Sequence, residues 1–233
     1  IPLRLVGSEM CIRDRSDGAA VDAILASPEL RAALRRGSLW IDMSSTQPTH
    51  ARAQSARLDE LGIAHLDAPV SGGTKGAEAA SLAIMVGGQE KAFSAALPVL
   101  SVLGRPVHVG PSGSGQLAKL ANQAIVAVTI GAVAEAMLLL DKGGADPAAV
   151  RDALRGGFAD STILQQHGTR MTTNNFAPGG LSKLQLKDLN NVLSEANDLN
   201  LSLPVTQHIR DRFDHFVHLS LIHISEPTRR RGI

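Results

Sequence analysis

The chain has 233 residues, 44% hydrophobic and 19% charged, enough length for one large or two ordinary domains with a sizeable core. Its 23 basic and 22 acidic side chains exclude a polyanion-binding protein, so no nucleic-acid partner is expected, and 3% aromatic residues leave no stacking platform for single strands. A single Cys excludes a disulfide framework and a Cys-based zinc site, which predicts a soluble, cytoplasmic protein with no structural metal.

The two ends read differently from the rest. Leu219 to Arg229 (L-S-L-I-H-I-S-E-P-T-R) and Leu5 to Asp14 (L-V-G-S-E-M-C-I-R-D) translate one DNA sequence and its reverse complement. That is the pattern of an adapter on both sides of an insert. Residues 1–15 and 219–233 are therefore read as adapter-like and set aside. Cys11 goes with them, and so do six basic and three acidic residues, leaving a net charge of −2. The natural sequence, 16–218, is expected to begin and end inside a longer protein.

Ala19 to Leu34 has helical composition with a break at Ser27-Pro28, where proline suits the first position of a new helix. Leu39 to Asp42 reads as a buried strand, Pro48 to Leu61 as a helix closed by Gly62, and Ile63 to Leu66 as the next strand. Strand, helix, strand in this order is the crossover unit of a parallel sheet. After a Gly-rich turn at Ser71 to Gly76 come a strand at Leu82 to Val86, a helix at Glu90 to Leu100 and a strand at Pro106 to Val109. From Gly115 onward the pattern is helical. Gln116 to Lys142 is apolar on nearly every face, which predicts burial on all sides. Its uncharged run, Leu120 to Ala134, contains Asn122 and Gln123 and falls short of a clean span of about 18–20 apolar residues, so no membrane is expected. Asp146-Pro147 opens another helix, and further helices come at Leu181 to Leu199 and Val205 to His218. The predicted class is α/β plus all-α. A partial Rossmann-type domain covers residues 16–111, and an all-α domain begun by a long buried helix covers 112–218.

Gly113-Ser114-Gly115-Gln116-Leu117-Ala118 matches the G-x-G-x-x-A dinucleotide pattern only superficially. The residues after it continue as one uninterrupted helix, without the second strand and acidic residue that complete the signal. The glycines read as a tight entry into the helix. Lys119 stands early in that helix with Asn122 and Gln123 three and four residues on, which places the three on one face. A lysine at the positive end of a helix dipole, in apolar surroundings, is expected to have a lowered pKa suited to proton transfer. The bland reading is a surface lysine. Ser71-Gly72-Gly73 comes after a strand and offers a nest of backbone N–H groups for a carboxylate, or simply a turn. Ser44-Ser45-Thr46 occupies a similar place, or caps the helix at Pro48. Lys187-Asp188 alone reads as a solvated ion pair. The eight His show no metal-ligand spacing.

Together, L-D-A-P-V-S-G-G at Leu66 to Gly73, I-M-V-G-G at Ile84 to Gly88, G-S-G-Q-L-A-K-L-A-N-Q at Gly113 to Gln123 and K-D-L-N at Lys187 to Asn190 resemble the β-hydroxyacid dehydrogenase family over 16–218. The resemblance implies hydride transfer between NAD or NADP and a short 3-hydroxy acid or semialdehyde. It also implies Lys119 as general acid/base, and Ser71, Gly72, Gly73, Asn122 and Gln123 as substrate-binding residues. Ser45 and Lys187 are implied at the cofactor. K-L-A-N-Q and the stretch Leu154 to Leu164 lean toward tartronate semialdehyde reductases (2-hydroxy-3-oxopropionate reductases). The alternatives are 3-hydroxyisobutyrate dehydrogenase, glyoxylate/succinic semialdehyde reductase and a non-enzymatic interaction module. Lys119 argues against the imine reductases of this superfamily, which usually replace it. The family's true glycine fingerprint is not in the sequence, so NAD and NADP cannot be told apart and this chain by itself is expected to be nearly inactive. The long apolar helix implies a homo-oligomer.

Overall fold

The computed structural model describes the backbone of residues 10–13, and residues 18–175, 177 and 181–219 in full. Most of the two ends read as adapter-like thus lies outside the described residues. The chain divides into two compact units, 1–122 and 123–233.

In the first unit, strands β1 (Met10–Arg13), β2 (Leu39–Asp42) and β3 (Ala64–Asp67) run parallel in register, with Leu39 opposite Ala64 and Asp42 opposite Asp67. Helices α1 (Gly18–Ala26), α2 (Pro28–Ala33) and α3 (Pro48–Glu60) connect them. The α1–α2 break falls at Ser27, whose hydroxyl accepts the Leu30 N–H as an N-cap. Gly62 closes α3 with φ +70°. Successive strand residues point to opposite faces, so β2 divides its side chains between two cores. Leu39 and Ile41 join Leu66, β5 (Leu82–Gly88) and α5 (Glu90–Leu103), whereas Trp40 packs with Val21, Leu25, Leu30 and Leu58. β1 belongs to the stretch read as adapter-like, yet it pairs residue for residue with β2. The ladder uses only backbone groups, and any extended segment can supply those.

The Rossmann-like class holds, with one refinement: the sheet is mixed. β5 runs antiparallel to β3, with Leu66 opposite Gly88 and Asp67 opposite Gly87. The short strand β4 (Val70–Ser71) also pairs antiparallel with β5, and β6 (Gly104–Gly110) pairs parallel with it. Only β4 and the six-residue helix α4 (Gly73–Glu78) lie between β3 and β5. That connection has no crossover helix, which parallel neighbours need. The 14-residue α5 is such a helix, and it returns β6 parallel to β5.

Helix α6 (Ser114–Lys142) starts in the first unit and continues into the second, where it is joined by α7 (Pro147–Ala153), α8 (Thr162–Thr172), α9 (Ser182–Asp198) and α10 (Pro204–His218). Ala127 packs with Leu189, Ile209 and Phe213, while Val133 and Met137 pack with Leu164 and Met171. The expectation that α6 is buried on all sides is corrected. In the second unit its buried residues, Ala127, Ile130, Val133 and Met137, form one stripe at spacings of three and four. On the other side Ile125 and Leu139 are 67% and 72% exposed. Within one chain, the packing of α8, α9 and α10 reaches Val128, Ala134 and Leu140 beside the stripe but leaves Ile125 and Leu139 exposed. By length and composition α6 alone among the described helices could also cross a membrane.

Candidate active site

Asp42 and Asp67 end neighbouring parallel strands, face to face in the β2–β3 ladder, and both are fully buried. The Ser44 N–H donates to Asp42 Oδ1 at 2.9 Å. Asp67 reaches further along the chain: Oδ1 accepts the Gly113 N–H at 2.8 Å and Oδ2 the Gln116 N–H at 2.9 Å. It thereby caps the start of α6, where backbone N–H groups have no partner within the helix. Burial pushes the Asp67 carboxyl up to about 6, with the Asp42 carboxylate adding to the push and the two N–H donors opposing it.

The Gly113-Ser114-Gly115 turn is a tight entry, as the sequence suggested. Gly113 has φ +91°. A Cβ on Gly115 would lie 2.4 Å from the Asp67 carbonyl oxygen and 2.5 Å from that of Met85, and one on Gly87 would lie 2.7 Å from the Gly115 nitrogen. Two facing glycines thus let the helix begin against the sheet backbone itself.

Gln116 is fully buried and spends both ends of its amide on the loop after β2. Oε1 accepts the Thr46 N–H at 2.9 Å, and Nε2 donates to the Ser44 carbonyl at 2.7 Å. The loop carrying Ser45 is thereby tied to the first turn of α6. Lys119 and Asn122 come next on this helix, both half-buried, and Gln123 continues the same face one residue later.

Ser71 closes β4 opposite Ala83, and the next two residues turn the chain into α4 with Gly72 at φ +139° and Gly73 at φ +60°. Neither conformation suits a side chain. A Cβ on Gly73 would meet nothing within 4 Å, so its backbone borders open space.

In the second unit, Gln123 Nε2 donates to Asp188 Oδ2 at 2.6 Å, and Lys187 Nζ lies 3.0 Å from Asp188 Oδ1. Lys187-Asp188 is therefore more than the solvated pair its sequence suggests. The Asp188 side chain is 13% exposed and joins α9 to α6, and Gln185 Nε2 adds a bond to the Gln123 carbonyl. Sequence reasoning missed two residues, Asp67 and Gln116. Their signal was present: an acidic residue ending a strand, and a polar residue in the first turn of an apolar helix.

Two family models match the chain. The "NAD binding domain of 6-phosphogluconate dehydrogenase" covers residues 10–111, and the "NAD-binding of NADP-dependent 3-hydroxyisobutyrate dehydrogenase" covers 113–220. A probable 3-hydroxyisobutyrate dehydrogenase of Mycobacterium bovis is 35% identical over 81% of this chain and 67% of its own length. The chain belongs to the β-hydroxyacid dehydrogenase family. The 2-hydroxy-3-oxopropionate reductase of Escherichia coli is 47% identical over 77% of this chain, which spans 62% of that relative's length. The solved Mycobacterium tuberculosis 3-hydroxyisobutyrate dehydrogenase with L-serine superposes with a TM-score of 0.85 at 31% identity, over 95% of this chain and 78% of that one.

The family implies a nicotinamide dinucleotide, and this chain's residues fit only part of one. Ser45 stands just beyond the carboxyl end of β2, where open α/β sheets place ligands. The sequence given holds no G-x-G-x-x-G before α1 to cradle a pyrophosphate.

Proposed function

We propose that this chain is the larger part of an NAD(P)-dependent 3-hydroxyacid dehydrogenase, and that the complete protein is a 2-hydroxy-3-oxopropionate (tartronate semialdehyde) reductase. The observation that carries the proposal is Lys119 half-buried one turn beyond the Gly113–Gln116 segment, which Asp67 and Gln116 fix to two strand ends. Lys119 is the general acid/base. In the reducing direction its ammonium gives a proton to the aldehyde oxygen as the carbonyl carbon becomes a primary alcohol carbon. In the reverse direction the amine takes that proton back. Ser71 and the Gly72 and Gly73 N–H groups hold the substrate carboxylate, and Asn122 and Gln123 orient the rest of the substrate. Ser45 and Lys187 serve the cofactor, whose pyrophosphate cradle is not among these residues.

The 47% identity with the Escherichia coli reductase favours tartronate semialdehyde. The 3-hydroxyisobutyrate reading keeps support from the Mycobacterium tuberculosis structure, whose L-serine is itself a small acid with a 3-hydroxyl. The exposed apolar side of α6, with Ile125 and Leu139, supports a homo-oligomer that covers it.

The test is Lys119→Ala in the full-length enzyme, assayed with both semialdehydes and both reduced nicotinamides. Loss of about 10²–10⁴-fold in kcat with folding intact is expected, and an active variant would remove the chemistry. An interaction module would show no turnover even with Lys119 present.

A further inference from the structure

We infer that Gln116 is a positioning residue for this reaction, locking the loop that carries Ser45 to the helix turn that presents Lys119. The inference rests on the assignment of Lys119 as proton donor. Gln116 precedes Lys119 by three residues, one helical turn, so the two lie on the same side of α6. Its side chain is out of solvent and uses an acceptor and a donor at once, on Thr46 N–H and the Ser44 carbonyl, the two residues flanking Ser45. Its own backbone N–H goes to Asp67. One residue therefore joins the loop after β2, the end of β3 and the first turn of α6.

Filling the space needs no amide, since an apolar side chain of similar length would pack there. What the amide adds is direction, because both hydrogen bonds form at only one rotation of the helix turn. Turning α6 about its axis would move the Lys119 amine relative to Ser45. The Ser71–Gly73 loop belongs to β4 and α4, and no hydrogen bond of Gln116 reaches it. A positioning role thus predicts a split between kinetic constants: kcat falls and the cofactor KM rises, while the substrate KM, to which the Ser71–Gly73 hold on the carboxylate contributes independently of α6, changes least.

The experiment uses the full-length enzyme with Gln116→Met, Gln116→Glu and Lys119→Ala side by side. Gln116→Met is expected to lower kcat about 10–100-fold and raise the cofactor KM several-fold, with a smaller rise in substrate KM. Amide exchange at Thr46 should speed up in Gln116→Met and remain protected in Lys119→Ala. Gln116→Glu is the control against simple misfolding. Its protonated carboxyl offers the same acceptor and donor as the amide, so its activity relative to the parent should recover as pH falls. A Gln116→Met enzyme that merely melts earlier, with both KM values and kcat within twofold, overturns the inference. So does a Gln116→Glu variant whose activity ratio is low and flat with pH. An active Lys119→Ala overturns the proton-donor assignment and the inference with it, whereas an inactive Lys119→Ala beside an unaffected Gln116→Met overturns the inference alone.

Discussion

His65 and Asp67 sit two residues apart on β3, on the same face and both buried, and their ionisations pull stability in opposite directions with pH. Burial lowers the His65 imidazole from 6.5 to about 4, and its two ring nitrogens have no hydrogen-bond partner among the described residues. Burial raises the Asp67 carboxyl from 3.8 to about 6. For His65 the unfolded chain binds the extra proton, so its contribution is complete above 6.5 and is lost as pH falls toward 4. For Asp67 the folded chain binds it, so its contribution is complete below 3.8 and is lost as pH rises through about 6. At 1.36 kcal/mol per pH unit, each is worth about 3 kcal/mol across its window, and the two nearly cancel between about pH 4 and 6. Removing one partner exposes the other. Asp67→Asn should make the first unit less stable by about 3 kcal/mol at pH 4 than at pH 6.5, and His65→Leu should give a slope of opposite sign. The assay is urea unfolding at a series of pH values, monitored by the fluorescence of Trp40, the chain's only tryptophan, which is buried opposite His65 in the β2–β3 ladder. Slopes of the same sign in the two variants, or variants that both track the parent, would refute the reasoning.

The geometry sets three further expected outcomes. Gly115→Ala places a methyl against two backbone carbonyls that cannot step aside, and should cost about 2–4 kcal/mol in urea unfolding of the first unit. Asp188→Asn removes the charge that holds Lys187 and weakens the tie to Gln123, so the second unit should lose about 1–3 kcal/mol, read as faster amide exchange at α9. Ser161→Ala removes the N-cap that accepts the Leu164 N–H and should destabilise α8 by about 1 kcal/mol, visible as fraying in amide exchange.

Much of this fold is local enough to be read in the chain. The Ser27-Pro28 break, the Gly62 stop and the Asp146-Pro147 start depend on residues within a turn of one another, and each stands where its chemistry requires. Helix α8 is hard to read from the sequence because its buried positions, Leu164, Gly168 and Met171, include a glycine that hides the apolar period. The antiparallel turn of β5 was not legible either. Strand direction depends on how a connection packs, and apolar runs look alike both ways. At the site, the glycines of the α6 entry and the shared face of Lys119, Asn122 and Gln123 were readable from spacing. The bonds from Asp67 and Gln116 were not, since they join segments 46 to 72 positions apart.

The pairing of β1 with β2 carries a practical consequence. A sheet edge recognises peptide groups and ignores what is written on the side chains, so the pairing of Met10–Arg13 with β2 does not by itself tell where that stretch comes from. Architecture here is more forgiving than chemistry. A melting curve or circular dichroism spectrum reports that the layer is whole and says nothing of whether a dinucleotide is gripped, so integrity of the fold must never be taken as a proxy for catalytic competence.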